Sequence, residues 1–287
     1  MKIAIVGPGS IGSTFAFHLA RAGHEVTVVA RGARLAQLEK ERAIVTTDAQ
    51  RAPVEVSAAL DATTPWDLVL VTVLESQVDA VLPALQRSAA KQVMFMFNTF
   101  APLDRLRDAV GANRFAFGFP AILAELKDGK LKFQVVPRAL SALQITIVTD
   151  PAWAATFSKA GIATDTQADM HSWLRTHAAV VAPMMVAFDR VHKRGSGLSW
   201  NESREIASGM VEGLALVRSL GHPLTPSNVA VLGKIPAPFA TLGLWLVSRL
   251  PMLAALGEKG TGEARTLIDA MVAAAPARSS RLQSLRP

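Results

Sequence analysis

The 287-residue chain contains no cysteine and no tyrosine. Without cysteine it can form no disulfide, no thiolate metal site and no cysteine nucleophile, which suits a cytoplasmic setting. Charged residues make up only 18% of the chain and hydrophobic residues 50%, which excludes intrinsic disorder and leaves one large or two medium globular domains. Long apolar runs are also missing. The longest uncharged segment of concern, residues 235–248, has 14 residues including two prolines, too short to cross a bilayer, so no membrane is expected as a partner. Basic residues outnumber acidic ones 30 to 23. They are scattered and accompanied by no aromatic-rich motif, so nucleic acid is not expected either. The net charge of +7 suits small anionic ligands equally well.

What is present is concentrated in residues 1–34. A short apolar run, Ile3 to Val6, leads into Gly7-Pro8-Gly9-Ser10-Ile11-Gly12. Lys2 followed by that run could pass for a leader peptide, but the run breaks at Gly7-Pro8. A helical stretch ended by Gly23 follows, then a second apolar run, Val26 to Ala30, with Arg31 at its end. G-x-G-x-x-G between a strand and a helix, in a unit of about 30 residues, is the context of dinucleotide binding. Gly7 permits the tight turn, Gly9 admits a pyrophosphate close to the backbone, and Gly12 lets the helix approach the strand. Ser10 and Ile11 open the helix and offer unpaired N–H groups to phosphate. Folds of this kind that hold NAD place an acid about 20 residues past the glycines. Here that place is taken by Arg31, with Arg34 close behind. A guanidinium pairs with a 2′-phosphate that a carboxylate would repel, so the expected cofactor is NADP(H).

Helical periodicity over Ala33–Arg42 gives way to short extended pieces near Ala43–Thr46 and Val54–Ser57. Asp67–Val73 and Gln92–Phe97 are continuous apolar runs, the pattern of strands buried on both faces of a parallel sheet. Gln77–Arg87 between them is an amphipathic helix, and the second run delivers Asn98 at its carboxyl end, where open α/β sheets bind ligands. Arg114–Phe119 reads as a strand, and Asp128-Gly129 between alternating residues predicts a hairpin that extends the parallel core with antiparallel strands. Leu143–Val148 reads as a last strand. From about Asp169 helices replace strands, over Asp169–Lys193, Asn201–Leu220, Thr225–Leu232, Ala237–Leu250 and Gly262–Ala275, and the last ten or so residues read as frayed. The class is α/β: an N-terminal Rossmann-type, mostly parallel sheet over residues 1–166, then an all-α C-terminal domain over residues 167–287 with apolar helices suited to a homodimer contact.

One helix stands apart. It carries His171, Trp173, Arg175 and His177 among small apolar residues before Pro183. His171 and Arg175 share a face, and Trp173 and His177 share another. Polar groups inside an apolar helix need partners or solvent. Histidines six apart share no face, so no metal site is expected.

GPGSIG, Arg31 at the end of the second strand, Val71-Thr72-Val73 with Gln77, the strand-end Asn98, and Trp173-x-Arg175 ahead of Pro183 together resemble the ketopantoate reductases. The resemblance implies an NADPH-dependent reductase of a small anionic 2-keto acid or related carbonyl or imine compound. It adds Thr72, Gln77 and Asn98 to the cofactor contacts, makes Asn98, Arg175 and His177 the candidate catalytic residues, and gives Arg175 and Glu263 to the substrate. The chain departs from the family pattern in carrying Thr99 for glycine, Leu74 for lysine, Arg175 for the catalytic lysine and Ala179 for asparagine. A register one residue shorter would place Leu174 and Ala178 there instead. Arginine is a poor proton donor, so His177 is the expected donor. The alternative is a non-catalytic dinucleotide-binding sensor or interaction protein on the same scaffold. A third layout, that of the 6-phosphogluconate dehydrogenase-like enzymes, expects a lysine on the first helix of the second domain, where none stands before Lys193.

Overall fold

Strand β1 (Lys2–Val6) buries four of its five residues and pairs in parallel with two neighbours, β2 (Glu25–Val29) on one side and β6 (Leu68–Val71) on the other. The computed structural model describes residues 1–135, 145–250 and 261–287. It divides into two compact units, Met1–Asn98 with Pro102–Met170, and Thr99–Ala101 with His171–Pro287.

The first unit is built on an eight-stranded sheet. Between β2 and β6 come β3 (Ala43–Val45), β4 (Arg51–Pro53) and β5 (Glu55–Ser57), and after β6 come β7 (Val93–Met96), β8 (Phe115–Phe119), β9 (Ile122–Lys127), β10 (Lys130–Val135), β11 (Thr146–Val148) and β12 (Thr164–Thr166). The sheet order is β12-β11-β8-β7-β6-β1-β2-β5, parallel throughout except where β11 runs against β8. The chain order reverses at β1, so the carboxyl ends of β1 and β6 flank a topological switch point. β6 and β7 are fully buried, as their unbroken apolar sequences require. Helix α1 (Ser10–Arg21) covers one face, where Phe15 meets Phe157 of α5 (Pro151–Lys159) edge-on at 5.1 Å.

The hairpin forms at Asp128-Gly129, both with positive φ of 49° and 76°, as a two-residue turn of this kind demands. It does not extend the core sheet. β9 and β10 make a separate two-stranded sheet, whose Phe133 lies 5.5 Å from Phe17 of α1. Burial against α1 of the apolar face carrying Leu126, Leu131 and Phe133 outweighs edge pairing. The antiparallel member of the core sheet is β11, whose strand is described from Thr146; residues 143 and 144 lie outside the described residues. The stretch 77–87 is not one helix either. A 3₁₀ turn, Glu75–Ala80, precedes α3 (Leu82–Arg87), because Pro83 carries no N–H and fits only the first turn of a helix.

The second unit is helical: α6 (Met170–Arg194, its first residue counted with the first unit), α7 (Trp200–Ser219), α8 (Val229–Leu232), α9 (Ala237–Val247), α10 (Thr261–Ala274) and α11 (Ser280–Ser284). Ser199 and Glu202 form a reciprocal capping box at the start of α7. Within α6, Pro183 cannot donate to the carbonyl of Ala179, and Gly213 of α7 lies against that residue, with room for nothing larger without displacement. Helix α8 is shorter than its periodicity, since Pro226 precedes the Asn228 cap. The chain end is not frayed. Leu282 and Leu285 are buried, and the Leu282 amide donates to the Glu212 carboxylate at 2.9 Å. Among the described residues no helix is long and apolar enough to cross a membrane.

Candidate functional site

The loop after β1 is shaped by three glycines. Gly7 has φ +89°, and a Cβ there would fall 2.6 Å from the Val73 side chain. Gly12 is tighter: an added Cβ would stand 2.4 Å from Thr72 Oγ1, 2.6 Å from the Gly7 carbonyl oxygen and 3.2 Å from Ile5. Around Gly9 nothing lies within 4 Å of an added Cβ, so the backbone there is open to approach. No side chain caps the amino terminus of α1, which begins at Ser10 and Ile11 and has no acid in its first turn. Its leading N–H groups and the positive end of its dipole therefore face outward over an open loop, an arrangement suited to phosphate.

Two side chains brace that loop from behind. Thr72, just past β6, donates its hydroxyl to the Gly7 carbonyl at 2.8 Å, while its amide donates to Val6 at 2.9 Å. Arg34 donates to the Pro8 carbonyl (3.1 Å), Ser13 Oγ (2.8 Å), Gln37 Oε1 (2.7 Å) and the Gly129 carbonyl (2.9 Å). Partial burial lowers the Arg34 pKa below its ordinary value. Arg31, by contrast, is exposed at the carboxyl end of β2, and its guanidinium has no partner among the described residues. Two arginines three apart thus do different work, and sequence reasoning missed the bracing role of Arg34. Gln77 is exposed on the 3₁₀ turn and accepts from the Leu74 amide at 3.3 Å.

Asn98 follows β7 and is 7% exposed. Both polar atoms of its side-chain amide are buried with no hydrogen-bond partner among the described residues. A buried amide left unpaired costs on the order of 1–3 kcal/mol, and this one lies at the carboxyl edge of the sheet, where open α/β sheets bind ligands. A cavity of about 530 Å³ lies at the opposite, amino-terminal edge, among Lys2, His24, Glu25 and Trp66. It lies away from the carboxyl ends of the strands, where open α/β sheets bind their ligands.

In the second unit, Arg175 is 8% exposed. Its Nε donates to the Phe100 carbonyl at 3.2 Å, its guanidinium lies 5.3 Å from the centre of the Phe100 ring, and Nη1 donates to His222 Nε2. His222 Nδ1 meets Ser172 Oγ at 3.0 Å, and its ring packs edge-on to His171 at 4.8 Å. The shared face of His171 and Arg175 thus meets one partner. That partner is placed by the end of α7: Gly221, with φ +84°, donates to Arg218, and the His222 amide donates to Val217. This is the pattern that ends a helix on a left-handed glycine. His177 goes elsewhere. It stacks on Trp173 at 4.8 Å and 9°, and burial lowers its pKa to about 4, although the residue as a whole is only half-buried. Arg175 and His177 thus point to different neighbours, Arg175 to Phe100 and His222, and His177 to Trp173. Leu174 and Ala178, the positions of the shorter register, are buried, as is Ala179. Glu263 is half-buried in the first turn of α10. No cluster of three or more metal-ligating side chains occurs among the described residues.

A switch-point glycine loop, an uncapped helix start and a strand-end polar group define a dinucleotide-binding α/β fold. The profile of the family described as Ketopantoate reductase PanE/ApbA matches residues 3–141, and over that stretch the chain is similar to the ketopantoate reductases. The 2-dehydropantoate 2-reductase of Vibrio cholerae is 31% identical over 140 residues, 46% of this chain and 41% of that protein. The match thus spans about two fifths of the curated relative's length. Over the whole fold, a PanE/ApbA family ketopantoate reductase of Ralstonia eutropha superposes with a TM-score of 0.74 at 20% identity, covering 100% of this chain and 96% of that one. D-mandelate dehydrogenase in complex with NADH gives a TM-score of 0.70 at 16% identity, covering 100% and 96%.

Proposed function

We propose that the chain is an NADPH-dependent reductase of a small 2-keto acid or related carbonyl or imine compound. The observation that carries this reading is the unpaired, buried Asn98 amide on the sheet edge that also holds the glycine loop. The residues fit a dinucleotide: Gly9 leaves the approach open, Gly12 keeps α1 close, the α1 start presents N–H groups, and the exposed Arg31 favours a 2′-phosphate over a second hydroxyl. When bound, the nicotinamide supplies the hydride. Asn98 donates a side-chain N–H to the carbonyl oxygen and orients the reacting groups. Arg175 holds the carboxylate, for which a planar guanidinium is suited.

The hydride adds to the carbonyl carbon and the oxygen takes its proton from water, since a guanidinium is a poor donor and burial lowers the His177 pKa to about 4. The stack on Trp173 supports a packing role for His177. Changes at Leu74, Arg175 and Ala179 favour a substrate other than ketopantoate itself. The reading includes a cytoplasmic setting and a homodimer through α8 and α9, where Val231, Phe239, Leu242 and Leu246 are exposed; sedimentation would test the dimer.

The deciding experiment measures NADPH binding and, separately, NADPH oxidation across a panel of 2-keto acids that includes ketopantoate. Turnover of at least one member is expected. Tight NADPH binding with silence across the panel would replace the reductase reading with that of a dinucleotide-binding sensor.

A further inference from the structure

His222 lies 47 residues beyond Arg175 in sequence, yet the guanidinium donates to it. A guanidinium nitrogen only donates, so the imidazole Nε2 must present its lone pair there. The ring proton then sits on Nδ1 and is donated to Ser172 Oγ at 3.0 Å. His222 is thereby held in a single tautomer, between a hydroxyl and a guanidinium. Its backbone is set by the left-handed turn at Gly221, and the amide of Thr225, just beyond, donates to Thr176 Oγ1 on the same helix as Arg175 at 3.2 Å.

We infer that His222 is a positioning residue for Arg175. The His222 Nε2 lone pair and the Phe100 carbonyl take one N–H each from two different guanidinium nitrogens, and the guanidinium carbon lies over the Phe100 ring. The orientation of the fork is therefore set before any anion arrives, and the cost of ordering a long, rotamer-rich side chain falls on folding rather than on binding. The inference rests on the reading of Arg175 as the group that meets the substrate carboxylate, but its geometry is tested independently of turnover.

The test uses the full chain labelled with ¹⁵N at arginine and histidine. Nuclear magnetic resonance should show His222 in the Nδ1–H tautomer and slow rotation of the Arg175 guanidinium about its Nε–Cζ bond. His222→Ala should speed that rotation by about tenfold or more, the equivalent of losing one hydrogen bond to a charged group. His222→Gln, whose side-chain oxygen can stand in for Nε2, should restore slow rotation. An Nε2–H tautomer in the unaltered protein overturns the inference. So does unchanged rotation in His222→Ala, or equal loss in both variants, which would assign the effect to ring packing against His171. If His222→Ala does not fold, the tautomer and the Gln variant decide. Oxamate, an unreactive 2-keto-acid mimic, supplies the second arm with the NADP⁺-loaded protein: weakened affinity in His222→Ala with unchanged NADP⁺ affinity is expected. Slow rotation together with no oxamate binding by the unaltered protein overturns the substrate reading alone and leaves the positioning geometry standing.

Discussion

Replacing Gly12 by alanine tests the loop at its tightest point. The new methyl would stand 2.4 Å from Thr72 Oγ1 and 2.6 Å from the Gly7 carbonyl oxygen, about 1 Å and 0.8 Å short of ordinary contact at 3.4 Å. The first obstacle is a side chain that can be removed; the second is backbone, held by the Thr72 hydroxyl at 2.8 Å. Forcing one methyl into packing of this kind costs about 1–3 kcal/mol, so Gly12→Ala should lose that much in urea denaturation. Thr72→Ala alone should lose about 1 kcal/mol, the worth of one hydrogen bond. The double variant should recover only part of the Gly12→Ala loss, because the Gly7 oxygen remains in the way. NADPH affinity, measured by fluorescence titration, should fall in both Gly12 variants, since relief of the clash moves either α1 or the loop. A Gly12→Ala protein as stable as the unaltered one, or full recovery in the double variant, would refute this account of the loop.

Three further outcomes follow. Arg31→Ala should weaken NADPH about tenfold while leaving NADH affinity and the melting temperature unchanged, because the exposed guanidinium has no partner among the described residues to lose; equal weakening of both cofactors refutes its role at the 2′-phosphate. Asn98→Ala should leave the cofactor-free protein as stable as before or more so, since an unpaired buried amide is removed, while turnover falls by at least about a hundredfold; calorimetry and steady-state kinetics separate the two effects. His177 has a pKa lowered from 6.5 to about 4, so the unfolded chain binds its proton first as pH falls. Its contribution is present above pH 6.5 and is lost progressively as pH falls from 6.5 to about 4, worth on the order of 3 kcal/mol. His177→Phe, which keeps a ring on Trp173, should flatten that acid limb in pH-dependent denaturation, and an unaltered limb refutes the assignment.

What was legible in the sequence was local. Asp128-Gly129 announces its own turn because two successive positive φ angles need such residues. The stack of Trp173 on His177 and the common face of His171 and Arg175 follow from helical spacing alone. Partners distant in the chain were not legible. Nothing near Arg175 points to His222, which arrives through a helix end 47 residues on. Nothing near Arg34 points to Gly129, 95 residues away. The hairpin's destination failed for the same reason: its alternation gives the pairing, but only the packed α1 decides which surface the apolar face covers. The chain end was misread because its basic residues conceal Leu282 and Leu285, whose burial depends on α7.

The division of labour between Arg31 and Arg34 also bears on how the chain can change. The arginine aimed at solvent has no side-chain partner among the described residues and can be exchanged without disturbing them. Its neighbour one turn on ties Pro8, Ser13, Gln37 and Gly129 together and cannot. With Arg31 in the proposed role at the 2′-phosphate, choice of cofactor is separable from integrity of the loop. A single substitution can retune the one without trading away the other, which makes position 31 the natural first handle for redesigning cofactor preference.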